Sequence, residues 1–413
     1  MSTAKLYGPF HQIITMEGLN THGPIHDDEL TIHEQVGIFT DFGMIVEIGD
    51  YTELSEKFQR AIRIKPSESS WVAVPSFVDC HTHICWSGTR VDDYSSRVAG
   101  KSYLEIAAAG GGIMDTVKAT RKASEEELVQ GILSRIEEHL RRGISVIEVK
   151  SGYGLTIEDE LKMLRAIRSA KEETKAVLIP TFLGAHIKPK DFEGSNSDYL
   201  KKLLNDVVPI IQKEELATRA DIFVEEGAFT IDEARWYSQE LIELGFDITM
   251  HVDQFHSGGS LLANELGCVS ADHLEYTDDH GIRAFSNSET VAVALPGASL
   301  GLGMQFSPAR KLLDAGASLA IASDWNPGSA PMGDLVTQAS ILGASEKLTI
   351  AETLAGITTR ASKALNSDYG CISTGKEAVF NIYETDDFRN IFYQQGQLRP
   401  LSTVLGNINL YHE

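Results

Sequence analysis

Four histidines and one aspartate in this chain are placed to do metal chemistry: His81 and His83 in the triplet His81-Thr82-His83, then His251, His273 and Asp324. Each position closes a short apolar run. In Asp79-Cys80-His81-Thr82-His83 the imidazoles stand two residues apart, so on an extended chain they share a face while Cys80 points away. Two imidazoles side by side are a ready pair for a divalent metal. Neither feature decides alone, because an H-x-H triplet is common and a lone histidine at a strand end often serves structure only. The conjunction is informative. Three imidazoles and a carboxylate, drawn from the ends of three separate runs, suit one ion with room for a water, and zinc and iron(II) both accept that set.

Residues so far apart meet only if the runs are strands whose ends converge. The runs cover residues 72–78, 144–149, 176–183, 221–224, 248–250, 268–271, 291–295 and 319–322, with amphipathic stretches between them. That alternation predicts an α/β fold, a parallel (β/α)8 TIM-like barrel, whose site forms at the carboxyl ends of the strands. Ser124 with Glu127, and Thr230 with Glu233, are capping boxes that open two of the helices. The ends of the chain differ: residues 5–75 and the last 48 alternate with period two between turn residues, the pattern of antiparallel strands. We expect residues 1–75 and 366–413 to share a small β-sandwich domain and residues 76–365 to form the barrel.

The formal net charge of −23, from 36 basic and 59 acidic residues, repels nucleic acid and anionic membrane surfaces. Cys80, Cys85, Cys268 and Cys371 are too scattered for a disulfide framework. Met1-Ser2-Thr3-Ala4-Lys5 does not open a signal peptide, and no window has the length of a membrane span. The expectation is a cytoplasmic catalyst acting on a small molecule.

At the strand ends the chain resembles the amidohydrolase superfamily, whose members bind metal through HxH after strand one, a histidine after strand five and an aspartate after strand eight. The resemblance implies His81, His83, His251 and Asp324 as metal ligands. Two-metal members also need a strand-four lysine; here that strand ends Val224-Glu225-Glu226-Gly227, which implies a single ion. Further stretches resemble the imidazolonepropionase family: Gly88-Thr89-Arg90, Gly110-Gly111-Gly112-Ile113, Val149-Lys150-Ser151-Gly152-Tyr153-Gly154, Leu183-Gly184-Ala185-His186, Ser270-Ala271-Asp272-His273-Leu274-Glu275 and Ser323-Asp324-Trp325-Asn326-Pro327-Gly328-Ser329. This implies hydrolytic opening of the 4-imidazolone ring of imidazolone propionate to N-formimidoyl-glutamate, the third step of histidine degradation, by a homodimer.

Physical chemistry agrees with such a substrate. A divalent metal lowers the pKa of its water and polarises a ring carbonyl. Asp324 is then placed to carry the proton to the departing nitrogen, and His273 to hydrogen-bond the oxyanion. The propionate needs a local cation, and Arg90 offers a bidentate fork, with Tyr153 and His186 as further donors. Asn326, Gly328 and Ser329 are assigned to the glutamate end of the product from the resemblance alone, since Pro and Gly explain that turn by themselves. Gln254 stands where deaminases of the superfamily carry a glutamate; it can bind a planar ring but relays no proton, and we place it beside Asp324 and His273 in the reacting set. The glycine-containing stretch 297–303 reads as an active-site loop rather than a phosphate cradle, since it lacks GxxxxGK.

Overall fold

The computed structural model describes residues 4–66, 70–101, 105 and 110–412. Residues 1–3, where the amino-terminal stretch Met1–Lys5 begins, and residue 413 lie outside the described residues.

Eight parallel strands follow one another in chain order around a ring: β1 (Phe77–Asp79), β2 (Ile144–Lys150), β3 (Val177–Ala185), β4 (Arg219–Val224), β5 (Asp247–Val252), β6 (Ser270–His273), β7 (Val291–Ala294) and β8 (Ser318–Ile321). Each is buried along most of its length, as strands covered on both faces must be. β8 and β1 are joined just beyond their ends. Thr82 bridges Trp325 in parallel, Asp324 N donates to His81 O at 3.0 Å, and His83 N donates to Trp325 O at 3.1 Å. Asp79 reinforces this seam by accepting Ser323 N (3.0 Å) and Ser323 Oγ (2.5 Å).

The apolar run 72–78 serves two sheets. Trp71–Pro75 belongs to the sheet of the chain ends, and only Phe77–Asp79 enters the barrel. Pro75 lacks a ladder donor and ends the first piece. Strand Trp71–Pro75 lies antiparallel to Val379–Glu384 and parallel to Lys5–Ile14, so both termini share one eight-stranded sheet. This sheet curls over on itself, with Ile45 N donating to Lys376 O and Gly375 N to Ile45 O, each at 2.8 Å. Its core holds Tyr7 edge-on to Phe380 at 5.4 Å. The stretch 297–303 is not a loop: Pro296–Leu302 is a helix, opened by Pro296 at its first turn and stopped by Gly303 at φ +68°.

A buried carboxylate is among the contacts that tie the amino-terminal segment to the barrel. Glu352 caps the helix Ile350–Gly356 by accepting Thr349 N (2.8 Å), and also accepts Ile25 N (3.2 Å) and Arg310 Nη1 (2.9 Å). Burial raises the Glu352 pKa, but Arg310 and the two amides outweigh it and hold it below the usual carboxylate range. A depressed folded-state value stabilises above the unfolded pKa, and that stability is lost as pH falls through the folded one. Glu352→Gln is therefore expected to lower unfolding free energy by about 1–3 kcal/mol at pH 7. The deficit should shrink in urea titrations run below about pH 4; a deficit independent of pH would show that the charge is irrelevant.

Candidate metal centre and active site

Alternation along the barrel strands places Glu148 and Lys150, Arg219 and Asp221, Thr249 and His251, and Ser270 and Asp272 as pairs on common faces. These are polar residues where aliphatic layers usually pack, and they build a charged floor beneath the site. Lys150 Nζ lies 2.9 Å from Glu148 Oε2, 2.8 Å from Asp221 Oδ2 and 3.9 Å from Asp272 Oδ2, with no solvent exposure. Asp221 sits two strands away from Lys150, so the contact crosses the barrel interior. Burial opposes the charge on Lys150, yet the surrounding carboxylates hold its pKa above the ordinary lysine value.

Above this floor the imidazoles converge. His81 Nε2 is 3.2 Å and His251 Nε2 3.3 Å from His83 Nε2, and Asp324 Oδ1 is 3.6 Å from His81 Nε2 and 3.3 Å from His83 Nε2. Ligand nitrogens about 2.0–2.1 Å from a tetrahedral ion stand about 3.3 Å apart, so the spacing fits one divalent ion. The backs of two rings are held by floor carboxylates. His81 Nδ1 donates to Asp272 Oδ2 at 2.6 Å, and His251 Nδ1 lies 2.9 Å from Asp221 Oδ2. Such carboxylate–imidazole pairs fix the tautomer and turn the Nε2 lone pair to the centre. Both rings are held neutral: burial, with Lys150 and the other imidazoles, takes His81 well below the usual histidine value, while burial brings His251 to about 4 despite Asp221. Among the described residues, His81, His83 and His251 are the one group of three or more such side chains close enough to hold an ion.

Asp324 and His273 both adopt left-handed backbone, at φ +50° and +86°. Non-glycine residues there cost about 1–3 kcal/mol each, and the seam contacts of Asp324 hold it in place. Burial would raise the Asp324 pKa, but His83 outweighs it and the acid is lowered. His273 lies 5.4 Å from His251 between ring centres, with Nδ1 3.4 Å from Glu275 Oε2; burial lowers its pKa, Glu275 more than restores it, and the net shift is upward.

Tyr153 and His186 wall the opposite side. His186 stacks on His83 with centroids 5.4 Å apart, and Tyr153 lies 5.9 Å from His83 and 5.6 Å from His186. Burial and Asp324 push the Tyr153 phenol up, leaving it a donor. His186 departs from expectation. Its Nδ1 is 3.0 Å from Gly152 O, an acceptor only, so Nδ1 carries the proton. Burial, His83 and His251 lower its pKa to about 3, so the neutral ring presents an acceptor at Nε2 rather than a donor.

Arg90 is largely engaged at home: Nε meets Asp93 Oδ2 at 2.5 Å and Nη1 meets Thr116 Oγ1 at 3.4 Å. A Cβ at Gly328 would stand 3.1 Å from Arg90 Nη1, so the arginine lies against the 326–329 turn. Asn326 braces that turn, its Oδ1 accepting Gly328 N (2.8 Å) and Ser329 N (2.9 Å) and its Nδ2 donating to Asp324 O (2.7 Å). Ser329 Oγ reaches Asp324 Oδ2 at 3.5 Å. Gln254 is buried, and its side chain has no hydrogen-bond partner among the described residues. Glu225, at the strand-four position, accepts Phe255 N (2.9 Å) and faces His256 Nδ1 (2.5 Å), away from any bridging role.

The chain matches the amidohydrolase family over residues 72–406. An imidazolonepropionase of Vibrio campbellii is 36% identical over 381 residues, covering 90% of this chain and 92% of the relative. Another, of Clostridium tetani, is 32% identical over 405 residues, covering 97% and 96%. Among solved structures, an adenosine deaminase from Xanthomonas campestris with bound zinc superposes with a TM-score of 0.71 at 16% identity, covering 98% of this chain and 92% of the other. Helicobacter pylori aminofutalosine deaminase gives 0.70 at 14%, covering 98% and 100%. At these identities the structural likeness speaks for the fold alone. No helix among the described residues is long and apolar enough to cross a membrane.

Proposed function

Since the chain belongs to the amidohydrolase family, and within it to the imidazolonepropionases, we propose that it hydrolyses 4-imidazolone-5-propanoate to N-formimidoyl-L-glutamate. The observation that carries this reading is the convergence of three imidazole nitrogens and the Asp324 carboxylate beside a wall of Tyr153 and His186. One zinc or iron(II) ion held by His81, His83, His251 and Asp324 would supply Lewis acidity, polarising the ring carbonyl and easing deprotonation of water.

The remaining roles fall to the chain. Hydrolysis adds one water across the ring C–N bond. Asp324 accepts the proton of the attacking water and returns it to the departing ring nitrogen. His273, its proton favoured by Glu275, donates to the developing oxyanion. Tyr153 donates to the substrate and His186 accepts from a ring N–H. Arg90 and the Asn326-Pro327-Gly328-Ser329 turn take the carboxylates, and Gln254 lies against the ring. Glu225 serving its own loop supports a single ion. We further propose a homodimer in the cytoplasm, acting on this small molecule and on neither nucleic acid nor membrane.

The test is direct. Purified protein loaded with zinc or iron(II) is expected to remove the ultraviolet absorbance of the imidazolone without releasing ammonia. Ammonia release without imidazolone turnover would assign the site to aminohydrolysis of another heterocycle.

A further inference from the structure

Behind Tyr153, on the helix Ile157–Glu173, lies a carboxylate that the chemistry above does not use. Glu160 has no solvent exposure, and its oxygens are filled by the loop that carries Tyr153. Oε1 accepts Gly154 N and Leu155 N, both at 2.8 Å, and Oε2 accepts Gly152 N at 3.1 Å. Next to it the Ser151 hydroxyl accepts Leu183 N at 2.9 Å from β3. The loop 152–155 is thus wrapped around one carboxylate, with the amides of Gly152, Gly154 and Leu155 pointing inward to it. The wrap needs glycine: Gly152 sits at φ +106°, and a Cβ on Gly154 would stand 2.5 Å from the backbone of Asp159 and Glu160. With the amides turned in, Gly152 O is turned out, where it receives His186 Nδ1 at 3.0 Å. One side chain therefore sets both the ring of Tyr153 and the tautomer of His186.

We propose that Glu160 is the positioning residue for the Tyr153–His186 wall and so governs how tightly substrate is held. This rests on the reading of Tyr153 and His186 as substrate contacts. The reacting groups Asp324 and His273 hang on β8 and β6, outside the clamp. Loss of the clamp should act on binding rather than on the chemical step.

The test compares Glu160→Gln, which offers the amides one acceptor oxygen in place of two, with Glu160→Asp, which keeps the charge and withdraws it by one methylene. Both metal-loaded proteins are expected to show KM raised on the order of tenfold, with kcat within about threefold of wild type. Metal content should be unchanged, and hydrogen exchange at residues 152–155 faster. Should Glu160→Gln fail to fold, Glu160→Asp carries the test alone. Unchanged KM, or a fall in kcat with KM unchanged, overturns the proposal. A wild-type protein that does not turn over imidazolone counts against the functional reading instead, and the exchange rates at residues 152–155 then decide the clamp by themselves.

Discussion

Asp324→Asn is expected to lower kcat by roughly a hundredfold to ten-thousandfold, the span usually lost with a general base. The amide keeps the volume of the carboxylate and can still coordinate through oxygen, but it cannot accept a proton. Three imidazoles remain, so the variant is expected to retain close to one ion per chain after gel filtration, with slower turnover and little change in KM. The seam makes this substitution unusually clean. The backbone of residue 324 is fixed by its donation to His81 O at 3.0 Å and by Asp79 gripping Ser323, neither of which involves the carboxylate. Near-wild-type turnover in fully loaded protein would remove Asp324 from proton transfer.

The second large effect is expected from the ion itself. Around the imidazoles, the buried carboxyl groups of Glu148, Asp221, Asp272 and Asp324 outnumber the buried cations Lys150 and Arg219, with burial and the neighbouring acids raising Asp272 to about 7. A divalent ion balances that excess. Burying unbalanced charge is costly, so an ion at a thousandfold excess over its Kd is expected to add about 4 kcal/mol. For a chain of this size that corresponds to a fall in Tm of roughly 5–7 °C on chelation. Activity should vanish with the ion and return with zinc or iron(II). A chelated protein with unchanged Tm would place the balancing charge elsewhere, and one with undiminished activity would remove the ion from the reaction.

Much of this arrangement is legible in the sequence, because parallel barrels convert a one-dimensional pattern into a site. Apolar runs become strands, strand ends share one rim, and so His81, His251, His273 and Asp324 could be gathered from positions far apart in the chain. The boundary at Pro75 was not legible, since residues 72–78 read as one apolar run and only the pairing partners divide it. The charged floor was also missed. Glu148 and Lys150 alternate with Ile147 and Val149, and a sequence does not say which face of a doubly buried strand looks inward. The two-residue spacing of acids and bases on β2 and β4 was the available signal. Arg90 illustrates a further limit: residue type suggested a fork free for substrate, whereas the fold gives it Asp93 and Thr116 to hold. His186 shows it again, because whether an imidazole gives or takes a proton is decided by one distant carbonyl.

The closing of the ring bears on when the protein becomes a protein. The hydrogen bonds that join β8 to β1 are made by the backbones of His81 and His83, at the start of the barrel, with those of Asp324 and Trp325, at its end. During synthesis the first imidazole pair leaves the ribosome long before its carboxylate partner exists. Contacts of such sequence separation form late. The ring and its centre are thus completed by one event after translation of the last strand, and a chain truncated before Asp324 would carry its first two imidazoles on an open, unclosed sheet.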